Sequence, residues 1–341
     1  AGWLVPVLSG GMRTERELLI PDPEIGGNRD VPEGHLGPVA FKGEIDTYTY
    51  LGPMRTFIRS ACMGWNRDVL GSPVRTWWWT PGDDGKVQSP IPTPQFLSIE
   101  QQIGSPGSYE TFKYFNVVCN GFTLEATAGE LTKFTVDLIG QYLQGIGSPT
   151  TPDSVHYPQD GINPPTWTSS SAPGVSVAFK HDFDAGGAPT HSTLFKSVTI
   201  SMTNNIEDDD FRLGSLFLGG LTPKRREWTG SVTVRPEDAA LLKQAVWGSE
   251  VGTEAQGGAT RSAQMNPVIR GNEEVAVGTL YYMSFNMDVM LHPFKMDPSQ
   301  DDVLEHDLDF TVVSRPTVIA TTLQHSITFN TNETHVPSDL R

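Results

Sequence analysis

Residues 41–50 read Phe-Lys-Gly-Glu-Ile-Asp-Thr-Tyr-Thr-Tyr, and residues 228–236 read Trp-Thr-Gly-Ser-Val-Thr-Val-Arg-Pro. Each stretch opens with an aromatic residue, any residue and a glycine, and continues with the period-two alternation of a half-buried strand. Each is followed by a short segment with helical features that ends at a glycine, Gly64 or Gly248. Because a repeated block indicates a repeated structural unit, the pair predicts two tandem modules.

Two further blocks occur in the same order in both halves. Residues 18–25 match residues 199–206, and both lead towards Asp-containing turns. Residues 131–141, which contain Phe-Thr-Val-Asp-Leu, match residues 308–314, which contain Asp-Phe-Thr-Val-Val. The chain therefore reads as one order of elements used twice.

Length and composition agree with this organisation. The chain has 341 residues, enough for two domains, with 34 Gly, 26 Pro and only 19% charged residues. These numbers favour a mainly β chain of many short strands joined by long loops over one of long helices. We expect a first module with an N-terminal arm over residues 1–150, a linker over 151–174, and a second module with a C-terminal arm over 175–341.

Local patterns place the elements inside these modules. Met54, Phe57, Ile58 and Ala61 are spaced i, i+3, i+4, i+7, which predicts an amphipathic helix over residues 54–63. A second helix is expected over residues 237–248, after Pro236. The other expectations are an arm at 1–16, long loops at 65–94 and 249–278, and tight turns at 120–121 and 128–129 within a meander covering 95–142.

The charge balance bears on the class of partner. The formal net charge is −16, and acidic surfaces repel nucleic-acid phosphates, so we expect no DNA-binding face. The two cysteines, Cys62 and Cys119, read as reduced and buried. No apolar run approaches the ~18 residues of a membrane span and no segment resembles a signal peptide, so we expect synthesis in a cytosol and no membrane contact.

Several of these segments resemble the tail tube proteins of long-tailed bacteriophages: residues 96–102, 112–124, 134–140, 198–205 and 225–234. The resemblance implies a β-sandwich or barrel with one flanking helix, packed in rings of six modules that stack through loops and terminal arms. It also implies a virion protein made in the host cytoplasm, with no enzymatic activity and no cofactor. Its partners would be further copies and other tail proteins, such as the tape measure and terminator proteins.

Two modules in one chain change the expected stoichiometry. Three chains would supply six modules, giving a trimeric ring with pseudo-sixfold symmetry. Stacked rings would form a tube whose acidic lining lets double-stranded DNA pass during ejection without specific binding.

The residues Trp77, Trp78 and Trp79 lie in the predicted loop at 65–94 and are candidates for subunit contact, since Trp is enriched at interface hot spots. They could also stack on sugar rings, which gives an alternative function: a two-domain carbohydrate-binding β-sandwich protein using this loop. Packing beneath the loop is a third reading. Arg225 and Arg226 are also subunit-contact candidates, expected to pair with carboxylates of an adjacent subunit.

Other polar clusters favour neither metal binding nor catalysis. The run 207–210 (Glu-Asp-Asp-Asp) and the run 181–186 lack the spacing of a calcium loop and read as turns. Neighbouring residues on a strand face opposite ways, so His306 and Asp307 would not act together. No nucleophile elbow, zinc-binding or dinucleotide motif occurs. A glycoside hydrolase is the remaining alternative, but no carboxylate pair is distinguished; we therefore predict no catalytic, cofactor or metal residues.

Overall fold

The computed structural model of the chain describes residues 2–3, 5–20, 34–62, 66–70, 75–79, 95–105, 108–146, 155–156, 174–180, 190–191, 195–235, 262–276, 279–292, 305–313 and 326–331. These residues form a mainly β structure with a large antiparallel sheet, which confirms the predicted fold class at that level.

The elements of the first half of the chain are β1 (Gly2–Trp3), β2 (Ser9–Leu19), β3 (His35–Tyr48), α1 (Leu51–Cys62), β4 (Asn66–Leu70), β5 (Arg75–Trp79), β6 (Leu97–Ser105), β7 (Ser108–Thr127), β8 (Lys133–Gly140), β9 (Tyr142–Ile146) and β10 (Val155–His156). Those of the second half are β11 (Gly174–Lys180), β12 (Thr190–His191), β13 (Phe195–Thr203), β14 (Glu227–Val234), β15 (Ser262–Ala276), β16 (Thr279–Leu291), β17 (His306–Val312) and β18 (Ser326–Thr331).

The main sheet has 16 strands, and its central path runs β12-β11-β15-β16-β17-β14-β13-β7-β8-β3-β2. Strands β6 and β9 pair with the first part of β7, and β18 pairs with β16. The hairpin β4–β5 of the first half joins the outer edge of β18 through β5. The two halves are therefore joined by hydrogen-bonded strands at two places, β7–β13 and β5–β18.

The helix α1 confirms the prediction made from residue spacing. Met54, Phe57, Ile58 and Ala61 are all buried, because their i, i+3, i+4, i+7 spacing keeps them on one face against the sheet. The helix begins three residues earlier than predicted, at Leu51. The second predicted helix, over 237–248, lies outside the described residues.

Four expectations about loops and turns were wrong. Residues 9–19 form strand β2 rather than an arm, and the segment at 65–94 contains the hairpin β4–β5. The segment at 249–278 contains β15. Asn120-Gly121 is a register irregularity inside the continuous strand β7, not a turn, whereas the turn at residues 128–130 is confirmed.

The larger of two core clusters in the described residues draws on both halves. It extends from Met12 and Phe41 through Phe122 and Phe134 to Phe310, all of which are almost fully buried. A smaller cluster of Val118, Ile139, Ile206, Leu218 and Leu221 lies under the connection between β13 and β14. Both predicted reduced cysteines are free and buried, in agreement with the sequence.

Candidate assembly surface

The sheet presents a polar face opposite the core. In β13, Val198, Ile200 and Met202 are buried, and the alternate residues Thr199 and Ser201 are half-buried. The same alternation occurs in β8, β14 and β17, where core residues alternate with Ser, Thr, Asp or Glu. Because side chains alternate across a strand, these polar residues share one face along the central path of the sheet.

The registers arrange this face in rows that cross both halves. One row runs, strand to strand, through Ser9, Asp46, Thr135, Thr123, Ser201, Thr229, Thr311 and Met290. Adjacent hydroxyls bond along it, as between Thr123 Oγ1 and Ser201 Oγ at 2.9 Å across the β7–β13 junction. The polar face is thus continuous from the first half into the second.

Acidic side chains dominate the ionisable groups of the polar face. In the two rows on either side of the one described above and in that row itself, the acidic groups are Glu44, Asp46, Glu125, Asp137, Glu227, Asp307 and Asp309, and the basic groups are Arg13, Lys42 and Lys133. Ser197 Oγ donates to Thr233 Oγ1 at 2.8 Å, and Thr233 Oγ1 donates to Asp307 Oδ1 at 2.6 Å. Hydroxyl donors therefore hold part of this negative charge in place.

The pKa values of two of these carboxyl groups shift in opposite directions. Hydrogen bonds from the hydroxyls of Ser9 and Thr135 lower the pKa of Asp46, since they stabilise the charged form. Desolvation, with a smaller contribution from the charge of Glu44, raises the pKa of Asp137. The folded chain therefore favours the ionised form of Asp46 and disfavours the ionised form of Asp137.

The junction between the halves is a regular antiparallel pairing. Seven consecutive residues of β13, from Ser197 to Thr203, pair with β7 from Thr127 to Gly121. Gly121 permits the close approach, because a Cβ at this position would lie 2.5 Å from the carbonyl oxygen of Met202. Strand β13 of the second half is thus hydrogen-bonded directly to strand β7 of the first half.

The structure places Arg226 against the end of α1. Its Nη2 donates to the carbonyl oxygen of Cys62 at 2.6 Å, and its Nε donates to Asn204 Oδ1 at 2.9 Å. Asn204 Nδ2 in turn donates to the carbonyl of Ala61 at 2.7 Å. Arg226 therefore donates to two carbonyl oxygens of its own chain, the backbone carbonyl of Cys62 in the first half and the side-chain carbonyl of Asn204 in the second. The carbonyl oxygen of the neighbouring Arg225 accepts from Asn205 Nδ2.

Trp77, Trp78 and Trp79 form the last three residues of strand β5, not part of an irregular loop as predicted. They pair in register with Phe329, Thr328 and Ile327 of β18, respectively, and on the other side with β4. Consecutive aromatic residues are common in strands, and this signal could have indicated a strand within the Pro- and Gly-rich segment.

Large exposed apolar residues gather at one end of the β2–β3 hairpin. Leu18, Leu36 and Ile20 are more than half exposed, and Leu213 in the β13–β14 connection is fully exposed. The two regions are tied together, because the N–H of Val39 donates to the carbonyl of residue 216 at 2.8 Å. Large apolar side chains exposed in one region often mark sites of protein association.

The acidic run at 207–210 is engaged by cationic side chains. Asp208 pairs with Lys42 Nζ at 2.6 Å, and Asp210 pairs with Arg212 at 2.9 Å. Among the described residues, no group of three or more His, Cys, Asp and Glu side chains is close enough to hold a metal ion. The run at 181–186 lies outside the described residues. His306 is buried and Asp307 exposed, which confirms that they face opposite ways.

A family model described as phage tail tube protein matches residues 6–312, which cover the central path of the sheet and the β7–β13 junction between the halves. The chain belongs to the phage tail tube protein family. This tail tube protein is accordingly a structural component of the phage virion, and family membership implies oligomeric assembly with tail proteins rather than catalysis. No curated protein matches the chain.

In the described part of the tail tube protein, no helix is long and apolar enough to cross a membrane. The polar face was not predicted as a site, because its continuity depends on strand register. The alternation Val-Thr-Ile-Ser-Met-Thr at residues 198–203 was the signal in the sequence that could have identified the residues that one strand, β13, contributes to it.

Proposed function

We propose that this tail tube protein self-assembles into stacked trimeric rings of pseudo-sixfold symmetry, which form the conduit for DNA ejection. Each chain would contribute two tandem modules, residues 1–150 and 175–341, joined by a linker at 151–174. The observation that carries the proposal is the strand order: β2-β3-β8-β7 in the first half and β13-β14-β17-β16 in the second. The accessory strands also correspond, since β6 and β9 flank β7 as β15 and β18 flank β16.

The repeated glycine supports this equivalence. Gly43 lies opposite Met12 and Leu138, and Gly230 lies opposite Ile200 and Phe310. A Cβ at Gly43 would collide with the carbonyl of Gly11, the residue before Met12, and a Cβ at Gly230 would collide with that of Thr199, the residue before Ile200.

The same close approach at the same register favours one ancestral module, with Leu138 equivalent to Phe310. This register differs by four residues from the sequence match, which aligned Phe134 with Phe310.

The β7–β13 junction supplies a template for ring closure. If β2 is equivalent to β13, its outer edge is the counterpart of the β13 edge that pairs with β7. Among the described strands, none pairs with that edge of β2. Joining it to the second half of another chain would extend the sheet, and three such joints would close a ring of six modules.

The polar face would then line the lumen. Its acidic rows would repel phosphate groups, so that double-stranded DNA passes without specific binding. Hydroxyl ladders such as Thr123–Ser201 keep the face hydrated and free of apolar patches that could adhere to bases.

Stacking of rings would use the exposed apolar end of the β2–β3 hairpin, with Trp77, Trp78, Trp79 and Arg225 as further candidates for subunit contact. For Arg226 the intramolecular contacts with Cys62 and Asn204 argue for a role within the chain. Other tail proteins, such as the tape measure and terminator proteins, would meet the tube, which would be assembled in the host cytoplasm. The family match favours this function over the carbohydrate-binding alternative.

The test is negative-stain electron microscopy of the concentrated protein, with mass photometry of the same sample. We expect rings or hollow tubes with three chains per ring. Six chains per ring would refute the tandem-module stoichiometry, and a protein that never polymerises would refute the tube itself.

A pair of variants tests the β2 edge. The N–H of Met12 donates to Gln101 Oε1 at 3.0 Å and not to β3, so by strand alternation the N–H of Thr14 also points outward. Thr14→Pro removes this outward donor without removing a β2–β3 bond. We expect it to block ring closure, while Thr14→Ala assembles normally. Equal assembly of both variants would argue against β2 as the joining edge.

Replacing Trp77, Trp78 and Trp79 together with Ala is expected to reduce assembly while leaving the monomer folded. Intact tubes from that variant would remove these residues from the list of subunit contacts.

A further inference from the structure

The outer edge of β9 has no strand partner among the described residues, whereas the corresponding edge of β18 has one. β9 pairs with residues 111–115 of β7, and β18 pairs with residues 282–286 of β16 in the corresponding place. The outer edge of β18 is occupied by β5, a strand from the other half of the chain. Within the described residues, no strand pairs with the outer edge of β9.

This edge is shaped to accept a strand. Tyr142 is the register partner of Phe115 in β7, and the N–H of Gln141 also donates to the carbonyl of Phe115. Gln141 and Tyr142 thus both lie opposite Phe115, as in a β-bulge, so by alternation from Tyr142 the N–H groups of Leu143 and Gly145 point away from β7. Gln144 and Gly145 are exposed, and the space around a Cβ at Gly145 is open to at least 4 Å. Exposed edges of this kind readily recruit another strand.

We infer that the outer edge of β9 binds a strand from the second half of another copy of this chain. The inference rests on the proposed ring, in which first and second halves alternate. At the contact within one chain, the first half makes two strand pairings with the second, β7 with β13 and β5 with β18. At the contact between chains, the second half of one copy would make both pairings with the first half of the next, at β2 and at β9.

The occupant is another copy rather than a different protein, because the same contact would have to pair two edges at once, that of β2 and that of β9. An outside partner could cover β9 alone, but only a second copy brings both strands in the arrangement already present inside the chain. Backbone hydrogen bonds along residues 142–146 would provide the binding, as in other cases of strand addition.

Hydrogen–deuterium exchange measured on the free subunit and on assembled tubes tests the inference. Amides of residues 142–146 that point outward are expected to exchange at least about tenfold more slowly in tubes. Strand β18 is the internal control, because both of its edges are already paired in the free chain. Unchanged exchange at β9, with slower exchange at β2 in the same tubes, would overturn the inference and leave the proposed function standing.

A matched pair of variants provides a second readout. Gly145→Pro removes one outward donor, whereas Gly145→Ala keeps it. Both are expected to unfold at the same denaturant concentration as the wild type, while Gly145→Pro lowers the yield of tubes at least about tenfold. Equal yields from the two variants would overturn the inference. If the wild type itself forms neither rings nor tubes, both the proposed function and this inference are refuted.

Discussion

Asn204 is the side chain that ties the second half of the chain to the helix of the first, and its replacement should be costly. It is 1% exposed and belongs to the connection after β13. Its Nδ2 donates to the carbonyls of Ala61 at 2.7 Å and Cys119 at 3.3 Å, and its Oδ1 accepts from Arg226 Nε at 2.9 Å. The carbonyl of Ala61 lies in the last turn of α1, where helical carbonyls lack intrahelical partners.

Asn204→Ala would remove all three hydrogen bonds at a site that water reaches poorly. A net loss of about 1 kcal/mol for each bond gives a destabilisation of about 3 kcal/mol, and more where a buried carbonyl remains without a donor. With an m-value of about 3 kcal/mol per molar urea, the unfolding midpoint should fall by about 1 M.

Urea unfolding of the free subunit, followed by tryptophan fluorescence and by circular dichroism, measures this loss. Asn286→Ala is the matched control, because Asn286 is half-buried and accepts a 3.2 Å bond from Gln264, so its loss should stay below about 1 kcal/mol. If Asn204→Ala unfolds within 0.5 kcal/mol of the wild type, taken as about the limit of such measurements, the contact does not lock the halves together.

Three further outcomes can be checked on the same protein. Desolvation and the charge of Glu44 raise the pKa of Asp137, so above the unfolded pKa of about 4 its ionisation destabilises the folded chain. Asp137→Asn should therefore raise the thermal midpoint at pH 7. This increase should vanish below about pH 3.5, where Asp137 is protonated in both the folded and the unfolded chain. Burial raises the pKa of Cys62 to about 11, so Ellman's reagent at pH 8 should react with it only after unfolding, and fast reaction of the native protein would contradict this. Gly230→Ala should lower the unfolding midpoint because its Cβ would meet a backbone carbonyl, whereas Gly145→Ala, with open space around it, should not; equal effects would refute the packing argument.

Local patterns in the sequence predicted the elements whose packing or pairing partners lie in the same half of the chain. The helix α1 followed from the spacing of four apolar residues, and β3 followed from its alternation after Phe41. Strand β2 was missed because Gly10 and Gly11 interrupt its alternation, and both have positive φ, which a strand pattern does not anticipate. Strand β5 was missed because its partner, β18, lies in the other half of the chain.

The same limit applies to the candidate surface. Which side chains share the polar face depends on the register of eight strands, and a shift of one residue would invert every face. The sequence carries the alternation of each strand but not the pairing of Thr123 with Ser201, which aligns the two halves. Repetition along the chain predicted two modules, whereas the pairing of β7 with β13, which joins the two halves of the chain, became visible only in the sheet.

If the chain carries the two proposed modules, a ring could assemble with less risk of premature aggregation. The β7–β13 junction forms inside each chain, so a ring of three chains would need three junctions between molecules instead of six. The edge left for those junctions is partly covered in the free subunit, because the N–H of Met12 donates to Gln101 and its carbonyl accepts from the Tyr114 hydroxyl at 3.2 Å. Two side chains thus occupy backbone groups that a neighbouring strand would otherwise bind, which lowers the tendency of an exposed edge to pair with the wrong partner.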